Sequence, residues 1–256
     1  MELTFYTYLI VLPLVFLAGL VDSVAGGGGL ISLPAYLVAG LPPHMATATN
    51  KCSSTFGTIL TTVRYLKHGH VHARSAILSV FFSLLGSWLG ARLNMVLPER
   101  YLYYFLLCAL PVIAVFLLFK RDFGSESTMD RLSTRALLFR CALIALAIGV
   151  YDGFFGPGTG TFLVIALTGL CGFDLLTASG NAKVMNLSSN IAAFVTFAVG
   201  GNILWALGVP AALAGIAGQY VGSGLALKKG AKIIRPMFLV VLALLLCTVL
   251  YDVLFA

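Results

Sequence analysis

Twice in this chain an aspartate and a knot of glycines break into sequence that is otherwise hydrocarbon. The first is Gly19-Leu-Val-Asp22-Ser-Val-Ala-Gly26-Gly27-Gly28-Gly29, the second Gly149-Val-Tyr-Asp152-Gly-Phe-Phe-Gly156-Pro157-Gly158-Thr159-Gly160. Each is followed at similar distance by a lysine inside apolar sequence, Lys51 and Lys183. A bilayer accepts irregular backbone and ionisable side chains only where protein or a water-filled cavity surrounds them. A duplicated pair of such breaks is the layout of a secondary transporter, with its site where two halves meet.

The surrounding composition supplies the membrane. Sixty per cent of the residues are hydrophobic and ten per cent charged, far from the soluble norm. Residues 5–21, 75–97, 101–119, 136–151, 203–227 and 234–254 are near-continuous apolar runs, and crossing a bilayer takes about 20 such residues. The expected fold is therefore all-α and polytopic. The first run is too long for a signal-peptide core and is preceded only by Glu2, with no basic residue, so it reads as a retained span. Gly86 with Gly90 and Gly218 with Gly222 have the small-xxx-small spacing that lets helices approach closely in lipid. The net charge of +7 points to no nucleic-acid partner, because the basic residues cluster in short loops beside the spans, where they report orientation.

The breaks mark a repeat. After each glycine cluster comes a short apolar stretch, 30–40 and 161–172. Then Lys51 faces Lys183, and Leu85-Gly86-Ser87-Trp88-Leu89-Gly90 matches Ala217-Gly218-Gln219-Tyr220-Val221-Gly222. The expected organisation is a first transmembrane repeat over 1–119, a polar linker over 120–135 and a second repeat over 136–256, each with five hydrophobic elements. If the short stretches cross the membrane the halves are inverted; if they dip and return, each half has four crossings and the halves lie parallel. Five crossings gather Arg64, Lys67, Arg74, Lys120, Arg121, Arg131, Arg135, Arg140, Lys228, Lys229, Lys232 and Arg235 on one face, leaving Arg92 and Arg100 on the other. Because basic residues stay cytoplasmic, this favours the inverted arrangement.

Within the third element of each half, Lys51, Ser54 and Thr58 fall at i, i+3 and i+7, and Lys183, Asn186 and Asn190 repeat that spacing on one helical face. A lysine in lipid costs about 3 kcal/mol on insertion scales, so a carboxylate or an anionic ligand must offset it. Asp22 and Asp152 are the candidate counter-ions, or carriers of a coupling proton. Pairs that merely pin helices together are the structural alternative. The glycines Gly26, Gly27, Gly28 and Gly29, with Gly156, Pro157, Gly158 and Gly160, free backbone N–H groups at helix starts, where anions are favoured. With Asn50, Ser54, Asn181 and Asn186 as polar lining, the two lysines complete an oxyanion cradle. Gly156, Gly158 and Gly160 do not make a dinucleotide fingerprint, since no strand precedes them.

No cofactor and no metal site is expected. His68-Gly69-His70-Val71-His72 reads as a solvated loop, since no cysteine or carboxylate accompanies it. Cys52, Cys108, Cys141, Cys171 and Cys247 read as small buried hydrophobes without ligand-like pairing.

At these residues the chain resembles the TauE/SafE family of membrane permeases, a sulfite-exporter-like group, and within it a YfcA-like branch. The resemblance rests on Val21–Gly29, Ala48-Thr-Asn-Lys51, Tyr151–Pro157 and Asn181-Ala-Lys183 together and extends over essentially the full length. It implies a transporter of the bacterial cytoplasmic membrane for sulfite, sulfonates or other small organic anions. The family is usually described with eight spans, against the ten that the charge distribution favours here.

The expected function is a secondary transporter whose partners are a small anionic solute and the bilayer, with a homo-oligomer possible. An anion channel on the same cradle is the alternative, and a non-transporting scaffold a lesser one. An intramembrane enzyme lacks its constellation: His44 is the one histidine near a span and no glutamate lies within one. The inverted topology places both termini outside the cytoplasm. A C-terminal reporter that works only in the cytoplasm is expected to be silent, and a bright one rejects the topology.

Overall fold

The computed structural model describes residues 4–97 and 126–234, together with 236, 237, 240, 241 and 243. The expected fifth elements, 101–119 and most of 234–254, lie outside the described residues, as do Cys108, Cys247, Arg100, Lys120, Arg121 and Arg235. Among the described residues eight α-helices have defined bounds, and no strand occurs. They are α1 (Phe5–Ala25), α2 (Gly29–Val38), α3 (Pro43–Lys67), α4 (Ala73–Val96), α5 (Thr134–Phe154), α6 (Thr159–Cys171), α7 (Leu175–Val199) and α8 (Trp205–Lys229). A single 3-10 turn, Met129–Arg131, precedes α5.

Four of these helices, α1, α4, α5 and α7, are long and apolar enough to cross a membrane. The helices α3 and α8 are just as long at 25 residues but carry polar residues and glycines that dilute their apolarity. What α3 does with those residues identifies its surroundings. It buries Thr47, Thr49, Asn50, Lys51, Ser53, Thr55, Thr58, Thr61 and Thr62 while exposing Phe56, Ile59, Val63 and Leu66. Helix α7 likewise buries Ser179, Asn181, Lys183, Asn186, Ser189 and Asn190 and exposes Val195 and Val199. Polar inside and apolar outside inverts the usual rule for a protein in water; it is the arrangement a hydrocarbon solvent demands.

The chain directions follow from the contacts. Tyr65, near the end of α3, bonds the backbone of Ser23 near the end of α1, while Tyr8 at the start of α1 reaches Ala206 at the start of α8. Gly180 of α7 abuts the His70 carbonyl in the α3–α4 loop. One end of the bundle therefore collects the C-termini of α1, α3 and α8 with the N-termini of α4, α5 and α7. Arg64, Lys67, Arg74, Arg131, Arg135, Arg140, Lys228, Lys229 and Lys232 all belong to this basic end, and Arg92 lies toward the other. Helices holding matching places in the two halves (α1 and α5, α3 and α7, α4 and α8) run in opposite directions.

Helix α2 spans only about 15 Å, yet it returns alongside α1. Its Leu33 and Tyr36, with Leu41 beyond it, cluster with Val11 and Val15 of α1, Ala46 of α3 and Leu207 of α8. The thirteen residues of α6 return beside α5, where Leu163, Val164, Leu167 and Cys171 pack with Leu137, Cys141 and Ile144.

Glycines let the helices exchange partners between halves: α1 lies on α8, and α4 on α5. A Cβ at Gly86 or Gly90 would collide with the carbonyl of Leu146 or Val150, and one at Gly218 or Gly222 with that of Phe16 or Leu20. From the facing side, Gly153 meets the Ser87 carbonyl and Gly19 that of Gly215. The small-xxx-small glycines thus act as expected, as close-approach surfaces.

A valine at Gly90 must separate α4 from α5. It is expected to lower the detergent melting temperature by the equivalent of roughly 1–3 kcal/mol, the usual cost of overpacking. Gly215→Ala, where the nearest atom stands at 3.5 Å, should melt close to the parent; equal behaviour of the two variants contradicts the contact.

Candidate functional site

The two lysines sit at mirrored depths. Lys51 lies eight residues into α3, which starts from the non-basic end, and Lys183 lies eight residues into α7, which starts from the basic end. Each is about 12 Å along its helix. Both ammonium groups are buried, and each is met by the aspartate of the opposite half. The Lys51 ammonium lies 2.7 Å from the Asp152 carboxylate, and the Lys183 ammonium 2.8 Å from that of Asp22. The pairs are crossed.

Hydrogen bonds extend each pair. Lys51 also donates to the Asn190 side-chain oxygen at 2.9 Å, and Ser189 donates to Asp152. Asn190 sits in turn beside Thr55, which bonds its carbonyl at 3.3 Å. On the other side Lys183 donates to both the backbone carbonyl and the carboxylate of Asp22. The Gln219 amide of α8 donates to the same carboxylate oxygen at 3.2 Å, and its own oxygen accepts from Thr61. A buried charge is tolerated when it is paired and its remaining hydrogen-bonding capacity is met. Both ammonium groups are paired, and each donates to two oxygens.

The glycine clusters meet each other. Gly26 caps α1 with a φ of 78°, a left-handed turn that a residue with a Cβ adopts at a cost. Its backbone touches that of Gly160 closely enough that neither position admits a side chain. Thr161 ties the junction by donating to the carbonyls of Ala25 and Gly26. Gly29 lies against Pro157. Gly156 is placed directly on the Lys51–Asp152 pair: a Cβ there would stand 3.0 Å from the Lys51 ammonium.

A small cavity, with room for about one water molecule, opens among α1, α2, α3 and α8. Its polar lining comes from Asp22, Ser32, Ser53, Ser54 and Gln219, and from the backbone of Gly28 and Gly29 at the start of α2. Asn50 lies just behind it, accepting from Ser32 at 2.7 Å and from Ser54 at 3.4 Å. Asp22, Gly28, Gly29 and Ser54 are thus brought together around one space. The sequence-derived residues Asn181 and Asn186 go elsewhere: Asn181 accepts from Ser75 of α4 and donates to its own helix, while Asn186 is buried one turn beyond Lys183.

Sequence reasoning missed three features. Gln219 was aligned with Ser87 only as part of a glycine-spaced motif, although a glutamine inside an apolar helix was itself a signal. Ser189, the partner of Asp152, gave no signal beyond its place beside Asn190. The thiols of Cys141 on α5 and Cys171 on α6 approach to 3.6 Å, a proximity their sequence positions do not show; both are buried free thiols, as is Cys52, in keeping with their reading as small buried residues. The histidine loop divides its residues: His68 turns to the Arg64 carbonyl, and His72 caps α4 through the Ser75 N–H.

Similarity to known proteins extends over nearly the whole chain. Residues 11–249 match the family model described as sulfite exporter TauE/SafE. A probable membrane transporter protein, ORF9, of Sinorhizobium sp. is 37% identical over 98% of this chain and 95% of its own length. The probable membrane transporter protein YfcA of Escherichia coli is 38% identical over 92% and 87%, and one from Haemophilus influenzae is 37% identical over 93% and 92%. No solved structure matches the chain.

Removing one partner of a buried pair strands the other charge, at a typical cost of about 3–5 kcal/mol, whereas replacing both by apolar residues is often neutral. Lys51→Met is therefore expected to melt well below the parent, and Lys51→Met with Asp152→Leu to recover most of the loss. A double variant that melts no higher than the single one rejects the pair as described.

Proposed function

The chain belongs to the TauE/SafE family of membrane transporters, and on that premise we propose that it is a secondary transporter moving a small anion across the bacterial cytoplasmic membrane. The observation that carries this reading is the crossed pairing of Lys51 with Asp152 and Lys183 with Asp22 beside helix starts freed by glycine. Two ammonium groups held at membrane depth by exchangeable counter-ions supply the positive charge that an anion needs. The backbone of Gly28 and Gly29 and the side chain of Ser54 form part of the cavity wall.

Sulfur oxyanions and sulfonates are the proposed substrate class, with small carboxylates as competitors. Their three or two oxygens spread one or two charges over a compact surface, which matches a cradle of one ammonium with several neutral donors. The name of the matching family model supports the sulfur assignment. The opposed directions of matching helices and the exchange of helix partners support halves built as inverted repeats of one another, with the basic end facing the cytoplasm.

An anion channel on the same residues differs in a measurable way, passing currents far above carrier turnover with no counterflow of labelled solute. For the transporter, Lys51→Gln and Lys183→Gln are each expected to reduce anion flux in proteoliposomes at least tenfold. Size-exclusion profiles and melting curves identify any variant that has lost its fold. Unimpaired flux in both variants refutes the site. A thermal-shift series with sulfite, thiosulfate, methanesulfonate and acetate ranks the substrate classes.

A further inference from the structure

The two ion pairs are chemically alike and structurally unlike. Asp152 is sealed, its side chain 2% exposed, between Lys51, Ser189 and the backbone of Gly156. Asp22 is 14% exposed and forms part of the cavity wall, while Lys183 behind it is 3% exposed and lines no part of that cavity. Asp22 therefore stands between the cavity and the ammonium group that an anion must reach. The neighbour from α8 differs as well. Gln219 is long enough to bond Asp22, whereas Ser87, at the matching place in α4, reaches only the Ser189 carbonyl.

Charge accounting then fixes what entry requires. Lys183 with ionised Asp22 is neutral, and so is Lys51 with Asp152. An anion entering the cavity would meet the Asp22 carboxylate and add an unbalanced negative charge inside the bundle. A proton delivered to that carboxylate removes both objections: Asp22 becomes neutral, Lys183 loses its partner, and the anion takes the vacated place. The sum is zero before and after, with one proton bound per monovalent anion. The groups that face Asp22 are Lys183 from α7 and Lys51 and Tyr65 from α3, which lie close enough to act on its charge. From α2 and α8 come Ser32 and Gln219, which do not titrate.

We propose that Asp22 is the proton-carrying gate of the loading site, that Lys183 changes partner from Asp22 to the anion, and that Lys51–Asp152 stays closed while this happens. Gln219 is a positioning residue, holding Asp22 through its amide N–H and then turning the same group toward the anion. The assignment rests on the anion-transporter reading and specifies its coupling.

Methanesulfonate is the suitable probe, because it carries one charge at every working pH and any proton movement must go through the protein. Labelled uptake into proteoliposomes of the intact protein, with pyranine trapped inside and voltage clamped by potassium and valinomycin, should show one proton entering per anion and a rate indifferent to voltage. Asp22→Asn should abolish the proton signal and lose at least tenfold of the uptake driven by a pH gradient, while Asp22→Glu restores coupling. Gln219→Ser should raise the KM several-fold with the proton ratio unchanged. Voltage-driven uptake without acidification in the parent protein overturns the gate, whatever the folding of the variants, and so does an unaltered proton ratio in Asp22→Asn. Absence of flux for methanesulfonate, sulfite, thiosulfate and acetate alike overturns the transporter reading itself and this inference with it.

Discussion

The bundle is organised around the need to keep four ionised groups neutral inside a medium that does not solvate them. A lone ammonium or carboxylate at this depth is expensive, and pairing within a half would have been the simplest remedy. Instead each aspartate crosses to the lysine of the other half. Each half carries one charge of each sign, but neither half pairs its own two charges. The exchange of α1 onto α8 and α5 onto α4 brings Asp22 and Asp152 across, and the glycine contacts that permit this exchange serve the electrostatics as much as the packing. Charge and helix order are consequences of one constraint.

The same constraint explains the two broken segments. Asp22 and Asp152 lie near the ends of α1 and α5, and the chain must turn there without filling the space beside the lysines. Side chains at Gly26 and Gly160 would push the two turns apart, and one at Gly156 would press on the Lys51 ammonium. Their absence lets α2 and α6 begin within the bundle, where Thr159 and Thr161 at the start of α6 donate backbone N–H groups to the Gly156 and Gly26 carbonyls. Irregular backbone at this depth is tolerated because other protein covers it.

Much of this was legible in the residues. The spacing of Lys51, Ser54 and Thr58, repeated by Lys183, Asn186 and Asn190, puts each set on one face of its helix, since helical periodicity reports which residues share a side, and all but the half-buried Ser54 are buried. It could not report which helix that side would meet. The crossing of the pairs, the contact of Ser189 with Asp152 and the place of Gln219 all depend on neighbours far away in sequence. Asn181 shows the limit from the other direction: two positions from Lys183 it points to another face, toward Ser75, because adjacent residues on a helix diverge by about 100° each. The thiols of Cys141 and Cys171 met because α6 folds back on α5, which spacing alone does not specify.

The placement of the pairs also bears on the choice between carrier and channel. Lys51 and Lys183 lie at mirrored depths from opposite ends of helices 25 residues long, so their ammonium groups are offset along the bundle by on the order of 10–15 Å. The touching turns at Gly26 and Gly160, with the bonds from Thr161, hold the two broken segments together. A conducting path would need both sites open to one continuous column of water. Here the Asp22 pair borders a cavity and the Asp152 pair is closed, which is how a device that exposes one site at a time looks when stopped in one of its states. The difference between Gln219 and Ser87 makes the two sides chemically unequal as well. A helix pair that rocks about the glycine junction would exchange which aspartate is exposed, and the solute would meet a carboxyl held by an amide on one side and by a hydroxyl on the other. On the proposed transporter reading, such inequality would give loading and release different affinities for the same anion, which a symmetric pore has no means to provide.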